Sequence, residues 1–194
     1  MKLSTHAVSQ LPPDYHTAMR VDLMADKKQA LTVNALALAI AALMGIGMHH
    51  FIPFDLFDFS RGTFFSVLRA GVLLLGLFAY IPLHELVHGV TMKFFGCQKV
   101  DYGFNWVYAY AGSREYFPKN CYLVIALAPI AVWGAVLLGL NVLVPRSFFW
   151  VVYFIQITNI SGAAGDLYVT WLFRPLPKDI LIQDTGISMT VYQR

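Results

Sequence analysis

Charge is scarce in this sequence: only 13% of its 194 residues are Asp, Glu, Lys or Arg. A soluble globular domain carries about a quarter, and 58% of this chain is hydrophobic, so the composition argues against a soluble enzyme. The 14 basic residues form no cluster, which argues against a nucleic-acid partner despite the net charge of +3. Cysteine is also scarce. Cys97 and Cys121 have no C-x-x-C spacing, which predicts two thiols rather than a disulfide framework.

The sequence contains four long apolar runs in which charged residues are rare. Each is close to the roughly 20 residues that a helix needs to cross the hydrocarbon core of a bilayer, and in lipid a helix satisfies its backbone polar groups internally. The sequence predicts membrane spans at about residues 30–48, 70–92, 121–144 and 148–173. The predicted fold class is therefore an all-α membrane protein with about four transmembrane helices and a short β-like hairpin between the second and third, forming a single membrane-embedded domain over residues 1–194.

The basic residues predict the orientation of these spans, because cytoplasmic loops carry an excess of Lys and Arg. With four spans, the tails at residues 1–28 and 174–194 share one side with the loop between the second and third spans. Only Arg61, Arg69 and Arg146 fall on the other side, which leaves 11 of the 14 basic residues with the tails. We therefore expect a multi-pass protein with both termini in the cytoplasm.

The loop between the second and third spans has an alternating pattern over residues 100–110. Its even positions are apolar or aromatic: Val100, Tyr102, Phe104, Trp106, Tyr108 and Tyr110. A period of two is typical of a strand or hairpin with one apolar face. Two interpretations remain open. The segment is either a loop whose aromatic rings lie on the lipid headgroups, or a short β-hairpin against the membrane beside the second span.

An H-E-x-x-H motif lies in the second span, formed by His84, Glu85 and His88. On a helix, residues four apart share a face, so two imidazole nitrogens can bind one metal ion while Glu85 reaches the same space. Chance alone would produce the motif about 0.002 times in a chain of this composition. Each ionisable group inside a membrane costs at least roughly 2.5–3.5 kcal/mol, and a bound cation offsets that cost. The alternative is a hydrogen-bonded polar cluster without metal.

A third ligand is expected, because a catalytic zinc usually has three protein ligands and a water molecule. Apart from Glu85, Asp166 is the only acidic residue in a predicted span, so we predict it as the third ligand, with Asp101 and Glu115 as alternatives. Asn159 lies seven residues before Asp166 and shares its helix face. It is expected either to donate a hydrogen bond to a developing oxyanion as a catalytic residue, or to join two helices.

These motifs resemble those of a family of small bacterial membrane proteins described as zincin peptidases. The resemblance covers residues 83–192 and includes the H-E-x-x-H helix, Gly103-Phe104 and Gly165-Asp166-Leu167. The chain is also similar to the site-2 protease group, in which such a helix and a later aspartate hold zinc inside the bilayer. The resemblance implies a bacterial cell membrane, Zn²⁺ held by His84, His88 and Asp166, and Glu85 as the base. Site-2 proteases usually present the aspartate before glycine, whereas here Gly165 precedes it.

We therefore predict a zinc-dependent intramembrane endopeptidase that hydrolyses a membrane-associated polypeptide. Glu85 would accept a proton from the attacking water and deliver it to the leaving amine. The substrate would pair with the strand-like segment at residues 100–110, and the other partner is the lipid bilayer. Two alternatives remain open: a zinc hydrolase acting on a lipid-linked substrate, and a non-catalytic metal-binding membrane regulator. The sequence leaves the oligomeric state undetermined.

Overall fold

The computed structural model describes residues 6–60, 62–104 and 109–194. The helices in this part of the chain are α1 (Lys27–Phe51), α2 (Thr63–Phe94), α3 (Lys119–Leu143), α4 (Phe149–Gly162) and α5 (Ala164–Phe173), and a 3₁₀ turn at Arg146–Phe148 precedes α4. The strands are β1 (His16–Val21), β2 (Asp101–Phe104), β3 (Ala109–Gly112), β4 (Tyr116–Pro118), β5 (Leu181–Asp184) and β6 (Met189–Gln193). The prediction of a mostly helical chain is confirmed.

Four helical segments are long and apolar enough to cross a membrane, which indicates membrane association. They are Lys27–Phe51, Thr63–Phe94, Lys119–Leu143 and Arg146–Phe173. The first begins where Asp26 accepts hydrogen bonds from the backbone N–H groups of Lys28 (2.9 Å) and Gln29 (3.2 Å), an N-cap that satisfies two otherwise unpaired donors. No residue of α1 is buried, and Leu31, Leu38 and Leu43 are exposed, which suits a helix apolar enough to cross a membrane.

The fourth predicted span is two helices rather than one. Helix α4 ends at Gly162, Ala163 leaves the helical conformation with φ −83° and ψ 18°, and α5 begins at Ala164. Among the amino acids, only proline is less favourable in a helix than glycine, which explains a break beside Gly162. The break places Asp166 in the first turn of α5, where the partial positive charge of a helix N-terminus stabilises a carboxylate.

A four-stranded antiparallel sheet is the feature that the all-α prediction omitted. Its strand order is β1-β6-β5-β4, so the segments predicted as tails supply three of its four strands. Each strand has only three to six residues, too few for a period of two to stand out in the sequence. The sheet contributes Val21, Ile182 and Val191 to a core in which all three are fully buried.

A separate two-stranded antiparallel sheet confirms the hairpin between the second and third predicted spans. Strands β2 and β3 pair with Tyr102 opposite Ala111 and Gly103 opposite Tyr110. Trp106 and Tyr108, which belong to the predicted alternating pattern, lie outside the described residues.

The chain divides into two compact units. The first comprises Met1–Val33, Glu85–Pro129 and Gly165–Arg194, and it contains both sheets. The second comprises Asn34–His84 and Ile130–Ala164. The core of the second unit includes Leu56, Trp150 and Val151, and the buried Arg69 donates hydrogen bonds there to the carbonyl oxygens of Ser147 and Asp58. The boundary crosses α2 between His84 and Glu85, within a continuous helix.

Candidate metal centre

The H-E-x-x-H motif forms a compact group on α2. One possible ligand atom from each of His84, Glu85 and His88 can be chosen so that all lie within 4.8 Å of one another. Helix α2 runs unbroken through Pro82, so the motif has the i, i+4 geometry that the sequence predicts. Both histidines are buried. Within residues 6–60, 62–104 and 109–194, no other three such side chains form a group of this kind.

The ring of His88 has a defined orientation. Its Nδ1 atom lies 2.9 Å from the carbonyl oxygen of Ile125. Because a carbonyl oxygen only accepts hydrogen bonds, Nδ1 carries the hydrogen and the Nε2 atom of the neutral ring offers a lone pair. This Nε2 lies 3.5 Å from Oδ1 of Asp166. Two ligand atoms at zinc-bonding distance on a tetrahedral ion are about 3.4 Å apart, whereas a good N–H···O hydrogen bond is shorter. The distance between Nε2 of His88 and Oδ1 of Asp166 therefore suits two ligands of one metal ion.

The ring of His84 is oriented by side chains. Its Nδ1 atom lies 2.6 Å from the hydroxyl oxygen of Tyr80, and this hydroxyl donates to Oδ1 of Asn159 at 2.9 Å. Asn159 is fully buried, and its Nδ2 atom donates to the carbonyl oxygen of Ile130 at 3.3 Å. Both ends of the Asn159 amide are therefore engaged. Sequence reasoning missed Tyr80, although its position four residues before His84 on a helix was a usable signal.

The two alternative carboxylates are bonded elsewhere. Oδ1 of Asp101 lies 3.2 Å from the ammonium group of Lys99. Oε1 of Glu115 accepts hydrogen bonds from the backbone N–H groups of Gln98 (2.7 Å) and Lys99 (3.3 Å). Both side chains hold the segment that follows α2. Of the three predicted carboxylates, Asp166 is the one that contacts a motif histidine.

The β2–β3 hairpin packs against α2 directly after the motif. A Cβ atom on Gly89 would lie 1.9 Å from the hydroxyl oxygen of Tyr102, so the tyrosine ring would have to shift if residue 89 had a side chain. Burial and, secondarily, the charge of Glu85 raise the pKa of the Tyr102 phenol, which keeps it protonated. Since Gly89 and Glu85 are four residues apart, they share a helix face. The hairpin therefore lies beside the face that carries Glu85.

Comparison with known protein families gives this geometry a context. Residues 77–181, more than half of the chain, match a family described as Putative zincin peptidase. The chain belongs to this family. No curated protein and no solved structure matches it. The matched range of the zincin peptidase includes both motif histidines, Glu85, the hairpin and Asp166, whereas β1 and β6 lie outside it.

The donor set suits the metal that family membership implies, which is zinc. Imidazole nitrogen and carboxylate oxygen are ordinary zinc ligands. In this zincin peptidase, His84 and His88 each make a hydrogen bond through Nδ1, and such bonds are the usual outer support of a metal-binding imidazole. Asp166 adds a carboxylate beside His88. These residues fit a zinc ion, and membership of the family suggests a zinc metallopeptidase.

Proposed function

We propose that the protein is a zinc-dependent intramembrane endopeptidase in which His84, His88 and Asp166 bind the metal. The observation that carries this proposal is the 3.5 Å distance between Nε2 of His88 and Oδ1 of Asp166, beside the compact His84, Glu85 and His88 group. The side chains come from different helices, and their spacing suits ligands of one divalent ion.

The chemical roles of the residues follow from their positions. Zinc bound here would supply a water molecule with a pKa lowered towards 7. Glu85 is the carboxylate beside the ligands, so it would take the proton from this water and return it to the leaving amine. For Asn159, the catalytic role and the helix-joining role were both open from the sequence. Its hydrogen bonds to Tyr80 and Ile130 favour a supporting role.

The proposed substrate is a membrane-associated polypeptide bound in an extended form. The β2–β3 hairpin supports this choice because it lies beside the Glu85 face of α2, and extended peptides pair with strand edges. We also propose that the protein lies in a bacterial cell membrane, as the resemblance implies, with both termini in the cytoplasm, which the distribution of basic residues supports. The lipid bilayer is the second proposed partner. We propose no nucleic-acid partner.

Replacing Glu85 by Gln tests the proposal. The variant should keep stoichiometric zinc and lose cleavage of a membrane-spanning reporter peptide by at least about 100-fold, because a general base contributes 10²–10⁴-fold. Asp14→Asn is a matched control, since it neutralises a carboxylate that pairs with Arg194 outside the proposed site, and it should cleave as the wild type does. Equal cleavage by Glu85→Gln, or a wild-type protein that binds no zinc, would overturn the proposal.

The same preparations separate the peptidase from its two rivals. Incubation with a lipid extract would release a new product only if the substrate is lipid-linked. A non-catalytic metal-binding regulator would complement a deletion strain equally well with Glu85→Gln but not with His84→Ala. A peptidase should need both residues and should leave the lipid extract unchanged.

A further inference from the structure

The two motif histidines are oriented by different means. His88 donates from Nδ1 to a backbone carbonyl, that of Ile125 at 2.9 Å, and no side-chain substitution can remove this acceptor. His84 instead contacts the hydroxyl group of Tyr80 at 2.6 Å. The orientation of His84 therefore depends on residues that can be altered one at a time.

The hydrogens in the His84 network can be assigned from elementary rules. The carbonyl oxygen of Ile130 only accepts, so the nitrogen of the Asn159 amide must face it and the amide oxygen must face Tyr80. The single hydroxyl hydrogen of Tyr80 then goes to Asn159. The hydroxyl oxygen is left to accept the Nδ1–H of His84, which places the lone pair of the neutral ring on Nε2.

We propose that Tyr80, held by Asn159, is a positioning residue that selects the tautomer of His84 able to bind zinc through Nε2. The proposal rests on the zinc site described under the proposed function. One compact unit contains all four residues of this network: Tyr80, His84, Asn159 and Ile130. Because Tyr80 and Asn159 are buried, water does not readily replace a hydrogen bond that is lost when either side chain is shortened. Asn159 acts through Tyr80 and not on the substrate.

Removing either side chain should weaken zinc binding. Without the Tyr80 hydroxyl, Nδ1 of His84 has lost this acceptor, so the ring can rotate or carry its hydrogen on Nε2, a form that cannot bind the metal. Loss of such an outer partner typically costs 10–100-fold in metal affinity. Asn159→Ala should have a similar or smaller effect, because the freed Tyr80 hydroxyl can turn towards His84 and donate to Nδ1, which is the wrong direction.

The test is a zinc titration of the full-length protein in detergent against a competing chelator, with Tyr80→Phe, Asn159→Ala and the double variant. We expect 10–100-fold weaker binding for Tyr80→Phe, and no further loss when Asn159→Ala is added to it. Tyr153→Phe is the matched control, because the Tyr153 hydroxyl donates to the carbonyl oxygen of Met44 at 3.3 Å in the same unit. It should bind zinc as the wild type does.

A spectroscopic measurement distinguishes tautomer selection from a general loss of structure. In metal-free protein labelled with ¹⁵N at histidine, His84 should show hydrogen on Nδ1 in the wild type and a shifted tautomer ratio in both Tyr80→Phe and Asn159→Ala, while His88 stays unchanged. Wild-type zinc affinity and tautomer ratio in Tyr80→Phe would overturn this inference and leave the zinc site intact. A wild-type protein without zinc affinity would instead overturn the proposed function.

Discussion

Substituting Gly89 by Ala probes the contact between helix α2 and the β2–β3 hairpin, and two opposing effects decide its result. Alanine favours a helix over glycine by about 1 kcal/mol. Against this, the added methyl group would lie 1.9 Å from the hydroxyl oxygen and 2.5 Å from Cζ of Tyr102, far inside contact distance. Overpacking of a core costs about 1–3 kcal/mol, and this is an upper range here because the Tyr102 ring is half-exposed and can turn aside in part. The net expectation is a destabilisation of at most about 2 kcal/mol.

The sign of the effect should reverse when Tyr102 is removed. In a Tyr102→Ala background the collision is absent, so Gly89→Ala should stabilise the protein by up to about 1 kcal/mol. In a Tyr102→Phe background the ring carbon still lies in the way, so destabilisation should persist. The coupling between positions 89 and 102 is then at most about 3 kcal/mol, within the range for residues in direct contact.

The measurement is reversible unfolding in mixed detergent micelles, followed by circular dichroism in the presence of a chelator. Excess chelator removes any contribution of metal binding to stability, so only packing is compared among the four variants of the cycle. If Gly89→Ala changes the free energy of unfolding equally in the wild-type and Tyr102→Ala backgrounds, the hairpin does not rest on α2 at Gly89, and the position assigned to it beside Glu85 is wrong.

Three further predictions concern single side chains. Asp166→Ala should weaken zinc binding at least tenfold in a chelator competition, by analogy with the loss of metal-supporting groups; unchanged affinity would remove Asp166 from the ligand set. Burial raises the pKa of Asp184, so its contribution to stability is greatest below the unfolded pKa and is lost as pH rises through the folded pKa. Asp184→Asn should therefore flatten the fall of Tm between acid and neutral pH, and an unaltered slope would contradict this. The buried Lys119 donates to the carbonyl oxygens of Arg174 and Leu176, just after the end of α5, so Lys119→Met should lower the free energy of unfolding by about 1–3 kcal/mol, whereas a wild-type value would show that the contacts are dispensable.

The parts of the fold that were predictable are those with a strong local signal. Long apolar runs predict helices because lipid leaves the backbone no alternative, and the four helical segments long and apolar enough to cross a membrane overlap the predicted spans. The alternating aromatic pattern favoured the hairpin. The H-E-x-x-H spacing located His84, Glu85 and His88 on one turn of helix, and the family match is consistent with that reading.

Other features depend on contacts between distant parts of the chain, which a single sequence does not encode locally. Strand β1 pairs with β6 from the opposite end of the chain, and neither strand is long enough to be recognised alone. The break at Ala163 depends on small residues whose surroundings were unknown. Tyr80 has no signal of its own in the second predicted span, because its partner Asn159 is 79 positions away. The ligand role of Asp166 stays a prediction that metal titration can test.

The strand order of the sheet has a consequence for biosynthesis. Strand β1 lies at an edge and its neighbour is β6, so the ribosome makes β1 first and its neighbour only after every helix in between. At about 5–20 residues per second, the newly made strand waits on the order of ten seconds with its hydrogen-bonding edge open. During that interval the nascent protein is exposed to strand-to-strand aggregation, and a chaperone or the insertion machinery that shields its first residues should improve the yield of folded protein.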